Sequence, residues 1–495
     1  MSLALADTAP EARAMRVSLA LWIGFAVYAV LIAGNWMLND PDTMWHVAIG
    51  QWMLDHRAVP DTDVYSFTKH GEPWPSMYWV SQLLYAKAYS TFGWAGPVTL
   101  AAGASAVTFG LLAKLLSRHF NKTATIVFVV VAFVLTAPHL LVRPHVLAFP
   151  VMVFWISGLV DAADRHDAPP FWLLSLIAVW ANLHGGFIFG LMMVGPIALD
   201  AVVQAQADKR VTLVMRWALF GVLALAASCV TPYGLSTLIE PMKILMLGKA
   251  LSLVTEFLPI DFGHLGAFEI CMLLAIGFTL LRGITLPPTR ILLLLGLLHM
   301  ALSQSRATEM LVLLAPLILA APLSRQIGAP DIDQSSPEPL RHVIMAGVVV
   351  VIAAVTLSFV AAPRFAPDTA NAPVQAVAEL KKLKVARVFN SYDFGGYLLA
   401  SGVPTFIDGR TELYGEKFFV DHVNATMLTE PENLFRLLRD YQIEATLIRT
   451  ESPANKLLDH VDGWQRIYSD NIATVYLRKA GALHTGEPVV DPQKQ

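Results

Sequence analysis

Two aspartates two residues apart open the stretch of this chain richest in chemical possibility, Asn39-Asp40-Pro41-Asp42-Thr43. A carboxylate at a helix start caps free N–H groups, and Asp42 stands where an amphipathic helix to about Asp55 begins. One carboxylate meets that need. A second one beside it, next to the end of an apolar run, is surplus. Paired carboxylates at a membrane–water boundary serve as a general base or hold a divalent cation. Asp42 and His46 are also spaced to share one helical face. Asp40, Asp42 and His46 are therefore candidate metal ligands, and a divalent cation, Mg or Mn, is the candidate cofactor.

Other ionisable and polar residues fall near the ends of apolar runs: Arg143 and His145, Asn182 and His184, Glu256, and Arg306. Such groups are costly near a bilayer and are candidates for substrate binding, against interface snorkelling or helix capping. Arg410 is a further candidate, able to pair with a phosphate or carboxylate. It lies among Asp393, Asp408, Glu412 and Tyr414, where Asp408-Gly409 also reads as ordinary turn chemistry. Trp45, Ala48, Ile49, Trp52 and Met53 recur at helical spacing, and tryptophans there suit a membrane interface. Trp74, Tyr78 and Trp79 read as interface anchors or as surfaces for stacking on sugars.

The elements that must position these residues are mostly apolar. Hydrophobic residues make up 55% of the 495 and charged ones 15%, which points to the bilayer as solvent. The net charge of −3 gives no nucleic-acid footprint. Cys229 and Cys271 both lie in apolar runs, so no disulfide framework is suggested. About eleven hydrophobic spans can be drawn, the first being a signal anchor after Arg13 and Arg16, roughly Val17 to Met37. Lys and Arg are retained on the cytoplasmic side, and Arg118, Lys122, Arg165, Lys209, Arg210, Arg282, Arg290, Arg325 and Arg341 mark inside turns. With the N-terminus cytoplasmic, the first long loop (38–93), the candidate residues at span ends and the C-terminal domain share the outer face. Leu235 to His264 is ambiguous, re-entrant or interfacial. Gln326 to Leu340 reads as a linker, and span eleven runs about Val343 to Ala361.

The division expected is a transmembrane domain over 1–362, an extracytoplasmic α/β domain over 363–480, and a disordered tail over 481–495. In the second domain, β-rich runs at Ala386–Asn390, Thr405–Ile407, Ala445–Ile448 and Ile472–Leu477 alternate with helical patterns at Pro373–Leu383 and Pro431–Tyr441.

Three segments carry a resemblance: DPDTMWHVAIGQWMLDHRAVPDTDVYSF in the first loop, WANLHGGFIFG at the hairpin of spans five and six, and FIDGRTELYG in the C-terminal domain. Over nearly its whole length the chain resembles the GT-C superfamily of polytopic membrane glycosyltransferases, and within it bacterial glycosyltransferase-like membrane proteins of unassigned substrate. The resemblance implies a polyprenyl-phosphate-linked sugar donor, an envelope glycan, lipid or protein as acceptor, and a place in the bacterial plasma membrane. It puts the catalytic base, or the group that orients the acceptor, on Asp42, with Asp40 as neighbour. Many relatives carry an Asp-Glu pair here; this chain has Thr43 after Asp42, and its second carboxylate comes before.

Two other classes stand beside the enzyme. A transporter or flippase of a lipid-linked or small polar solute would place its ionisable groups deep in broken helices and show repeated halves, which this chain lacks. A non-catalytic assembly protein would keep the fold without the reaction.

Overall fold

The computed structural model describes residues 19–34, 36–327 and 372–479, with residues 347, 354, 356, 365–367 and 370 between. Span eleven, most of the 326–340 linker and the tail lie outside the described residues.

Helix α1 (Leu19–Ala33) leads through a 3₁₀ turn to α2 (Asp42–His56), and a loop returns in α3 (Trp79–Phe92). Then follow α4 (Ala95–Leu116), α5 (Lys122–Thr136), α6 (Pro144–Asp164), α7 (Leu174–Leu183), α8 (Phe187–Met192), α9 (Val194–Gln204) and α10 (Arg210–Ser228). After these come α11 (Ser236–Leu245), two 3₁₀ turns (Gly248–Leu253, Thr255–Phe257), α12 (Ala267–Arg282), α13 (Pro288–Ser303) and α14 (Thr308–Ile327). Among the described residues six helical stretches are long and apolar enough to cross a membrane, and three shorter apolar ones accompany them. The chain is a multi-pass membrane protein. Their inner faces meet in one core with Phe109, Trp155, Phe187 and Phe220 fully buried, while Leu273, Leu274 and Leu281 on α12 face outward, as lipid contact requires.

One end of this bundle is closed by a buried ion network. Arg290 of α13 donates to Asp200 of α9 at 3.0 Å, to the Ile318 carbonyl of α14 at 2.7 Å, and to Asp164 of α6. At the opposite end sit the first polar loop, the α5–α6, α7–α8 and α13–α14 connections, and the C-terminal region.

That region holds a four-stranded sheet ordered β1-β2-β4-β3, from β1 (Val388–Asn390), β2 (Ala445–Arg449), β3 (Trp464–Ser469) and β4 (Ala473–Arg478). β1 runs parallel to β2; the other pairs are antiparallel. Apolar side chains cover both faces, against helices that include Val374–Lys382, Thr411–Met427 and Pro431–Asp440. Thr405–Ile407 is not a strand of this sheet. Thr405 instead bridges Ser66 of the first loop, so the β-forming run serves to join the two regions.

Helix α2 differs from its expected interfacial role. It is sandwiched between α3 and the short helix Gly395–Ala400, with Trp45 only 3% exposed. A Cβ on Gly50 would lie 2.0 Å from the Gln82 carbonyl oxygen, so only glycine lets α2 approach α3 this closely. Trp45, Ile49, Met53, Trp74 and Leu399 form a small core between loop and C-terminal region. The tryptophans read as interface anchors are thus in part the packing that docks the two.

Candidate active site

At the start of α2 the two aspartates divide their work. The Asp40 carboxylate accepts from the Asp42 backbone N–H at 2.6 Å, so the capping role falls to Asp40 and not to Asp42. Asp42 is freed to turn its side chain elsewhere. Its Oδ1 accepts from Trp45 Nε1 at 2.9 Å and its Oδ2 from Arg143. Arg143 is held just before α6, where Val142 donates to the Met37 carbonyl at 2.8 Å and accepts from Thr43 Oγ1 at 3.1 Å. Its guanidinium reaches three carboxylates: Asp42, Asp40 at 3.3 Å, and Glu256 at 2.8 and 2.9 Å. Arg306 pairs with the far oxygen of Glu256 at 3.1 Å.

The cluster holds three carboxylates and two guanidinium groups. The imbalance decides where a proton sits. Burial raises the Asp42 carboxyl, the Asp40 charge adds to it, and Arg143 offsets this only in part, leaving it at about 7. Asp40 is raised for the same first reason. Burial would raise Glu256 too, but it is paired by both Arg143 and Arg306, which hold it down at about 2.

Burial and the guanidinium groups act on the histidines as well. Burial, then Arg306 and Arg143, push His184 down to about 3. Its Nδ1 accepts the Gly186 N–H at 2.9 Å, so Nε2 carries the proton. Burial likewise pushes His46 well down. Its Nδ1 faces the Gln82 amide nitrogen at 3.2 Å, an orientation fixed because Gln82 Oε1 accepts from Ser76 at 2.7 Å. His145 Nε2 reaches the His139 carbonyl at 3.0 Å and stands 3.8 Å from Glu309; its Nδ1 is buried without a hydrogen-bond partner.

Asp42 stands in the wall between two cavities. The smaller, about 70 Å³, is lined by His46, Tyr78, Arg143, His145, His184, Glu256 and Arg306, and by Thr411 and Glu412 from the C-terminal region. Ile244, Leu247, Ala250, Leu251 and Val254 cover it. The ambiguous stretch 235–264 is thus a short helix and turns laid over the site. The larger, about 660 Å³, opens between the loops and the C-terminal region, with Asp40, Asp42, Arg143, Ser391, Asp393, His422, Arg449 and Glu451 in its walls.

Two expected substrate-binding residues lie elsewhere. Asn182 accepts from Trp79 Nε1 at 2.9 Å and donates to the Val230 carbonyl at 2.9 Å, tying α7 to the α3 and α10 ends. Arg410 is fully buried. It donates to Asp63 at 2.5 Å and to Asp408 at 2.8 and 2.7 Å, and its guanidinium lies 4.7 Å over the Trp74 ring. It has no face left for substrate. Its consequence is positional: a Cβ on neighbouring Gly409 would fall 2.1 Å from Asp42 Oδ1. The FIDGRTELYG segment therefore presses backbone against the Asp42 carboxylate. Tyr392 and Thr411, missed in the sequence, and Gly409 and Glu412, not placed at the site by it, all come from this region, and proximity between segments so far apart in the chain leaves no local pattern to read.

As for a cation, Arg143 occupies the point on which Asp40, Asp42 and Glu256 converge. Among the described residues no group of three His, Cys, Asp or Glu side chains is disposed to hold a metal ion.

No family model and no curated protein sequence matches the chain. Solved structures do. The oligosaccharyltransferase of Archaeoglobus fulgidus in its apo form aligns over 87% of this chain and 69% of its own, at TM-score 0.52 and 11% identity. The same organism's oligosaccharyltransferase AglB, in complex with an inhibitory peptide and a dolichol-phosphate, aligns over 93% and 74% at TM-score 0.50 and 10% identity. ArnT of Cupriavidus metallidurans in the apo state aligns over 95% and 98% at TM-score 0.50 and 14% identity. The chain shares the fold of these proteins. At these identities the likeness is one of architecture, and the expected fold class of a helical GT-C-like membrane protein with a small sheet-bearing C-terminal region stands. Within this GT-C frame, the chemistry of the site rests on the residues above.

Proposed function

We propose that this protein is an inverting membrane glycosyltransferase that moves a sugar from a polyprenyl-phosphate donor to an extracytoplasmic acceptor, with Asp42 as the base. The observation that carries this reading is the place of Asp42: a buried carboxyl at about 7, in the wall shared by two cavities, with guanidinium groups beside it. The donor phosphate belongs on the Arg306 side, next to the tops of α6 and α14. The acceptor, an envelope glycan, lipid or protein, enters by the larger cavity. That the AglB neighbour holds a dolichol-phosphate and a peptide supports this class of ligands.

In the reaction, Asp42 takes the proton of the acceptor hydroxyl as its oxygen attacks the anomeric carbon. The bond from that carbon to the phosphate oxygen breaks, and the electron pair leaves with the polyprenyl phosphate. Attack opposite the leaving group inverts the centre. Arg306 and Arg143 stabilise the charge gathering on the phosphate, and Arg143 fills the place a divalent cation takes among clustered carboxylates. Asp40 holds the start of α2 and raises Asp42 by its own charge. The site faces the periplasm of a bacterial plasma membrane, with the N-terminus cytoplasmic and residues 363–480 as the outer domain.

The test is transfer of labelled sugar from polyprenyl phosphate to envelope acceptors by the purified protein. Donor consumption with inversion supports the enzyme. Movement of the donor without its consumption indicates a flippase, and neither indicates an assembly protein.

A further inference from the structure

Two kinds of side chain line the small cavity. Arg143 and Arg306 are the cationic ones, already assigned to phosphate. Tyr78, His184 and Glu412 form a second group in its wall, which the reaction does not use.

Each of these three is held so that a polar atom stays available. Glu412, the second residue of the helix Thr411–Met427, has one carboxylate oxygen pinned by Trp74 Nε1 at 3.1 Å; among the described residues no other side chain donates to it. Trp74 is itself fixed over the buried Arg410 guanidinium. The Tyr78 ring packs edge-on against His46 and tilted against His184, at 5.4 Å in each case, and among the described residues its hydroxyl makes no hydrogen bond. His184 gives its Nδ1 to Gly186, which leaves Nε2–H as a donor. Burial followed by the Glu412 charge pushes the Tyr78 hydroxyl up, so it stays protonated beside the carboxylate.

We infer that this wall reads the donor sugar: Glu412 accepts from a ring hydroxyl, His184 Nε2–H and Tyr78 complete the hydrogen bonds, and the sugar is an uncharged one and not a uronic acid. The inference rests on the glycosyltransferase reading and specifies its substrate class. A carboxylate beside the sugar attracts hydroxyl donors and repels a second carboxylate, whereas the phosphate is satisfied by Arg143 and Arg306. The C-terminal region thus contributes specificity directly, through a residue delivered by the Arg410 anchor.

The experiment measures binding to the purified full-length protein of farnesyl phosphate, alone or carrying glucose, galactose, mannose or glucuronate. At least one neutral sugar is expected to tighten binding over bare farnesyl phosphate, and glucuronate to bind more weakly than that sugar. In Glu412→Gln the gain from the sugar falls by about 10- to 100-fold, as for loss of a hydrogen bond to a charged group, and the bias against glucuronate disappears. Bare farnesyl phosphate binds the variant as it binds wild type, which shows the cavity intact. Tyr78→Phe, which keeps the ring, gives a smaller loss of the same kind. Sugar gains unchanged in both variants, no gain with any neutral sugar, or glucuronate bound as tightly as they are would overturn the inference and leave the phosphate site standing. No binding of farnesyl phosphate at all overturns the reading beneath it as well.

Discussion

Two arginines, 143 and 410, each sit among buried carboxylates, in clusters that meet where Gly409 presses on Asp42, and they do opposite things. Around Arg410 both carboxylates are filled with hydrogen bonds: Asp408 accepts from the guanidinium, from Tyr414 at 2.8 Å and from Thr405 at 2.9 Å, and Asp63 accepts from Arg410 and from Ser66. Burial would raise Asp408, but Arg410 outweighs it and holds the carboxyl below its usual range. Around Arg143 the cluster lines cavities, and Asp42 is left at about 7. Burial, ion pairing and one carboxylate in excess are common to both. What distinguishes a site from an anchor is a carboxylate that faces space.

The comparison breaks most visibly if the anchor is cut. Asp408→Ala leaves Arg410 buried without its main partner, which costs about 3–5 kcal/mol. Thermal unfolding should show a large fall in midpoint, with activity lost only as the fold is lost. An unchanged midpoint would make Arg410 something other than an anchor.

Gly409→Ala probes the contact between anchor and site. The added methyl meets the Asp42 carboxylate, and a displacement near 1 Å costs about 100-fold in transfer rate, read as kcat, with the protein still folded.

Acid separates the two clusters in a third way. A base at about 7 is half protonated there, so kcat/KM falls about tenfold for each pH unit below 7 and levels above it. Because the folded state raises the Asp42 pKa, protonation near pH 6 does not weaken the fold. Asp408 has a lowered pKa, so its stability contribution is present above the ordinary carboxylate range and lost only as pH falls further. Activity at pH 6 should therefore drop with no fall in thermal midpoint. The smallest effect expected is that of chelation: with Arg143 in the cation's place, EDTA leaves the transfer rate unchanged.

The sequence disclosed the parts whose signal is local. Apolar runs, loop charges and a carboxylate beyond what a cap needs put Asp42, Arg143, His145, His184, Glu256 and Arg306 on one face, and in the structure they line one cavity. It misjudged Arg410, because an arginine that binds phosphate and one that closes a buried network look alike until Asp63 is seen beside it, 347 residues away. Trp45 and Trp74 looked like interface anchors because a tryptophan buried in a protein core and one in a lipid headgroup layer share a hydropathy. Thr405–Ile407 has the composition of a strand, and pairing across the two regions used it otherwise.

The central claim is that Asp42 takes a proton during transfer and does not merely hold the site together. Transfer of labelled sugar from polyprenyl phosphate by Asp42→Asn, set beside its binding of farnesyl phosphate, tests this most directly. The account predicts transfer slower by about 10²–10⁴-fold with farnesyl phosphate bound as in wild type; transfer at the wild-type rate would contradict it.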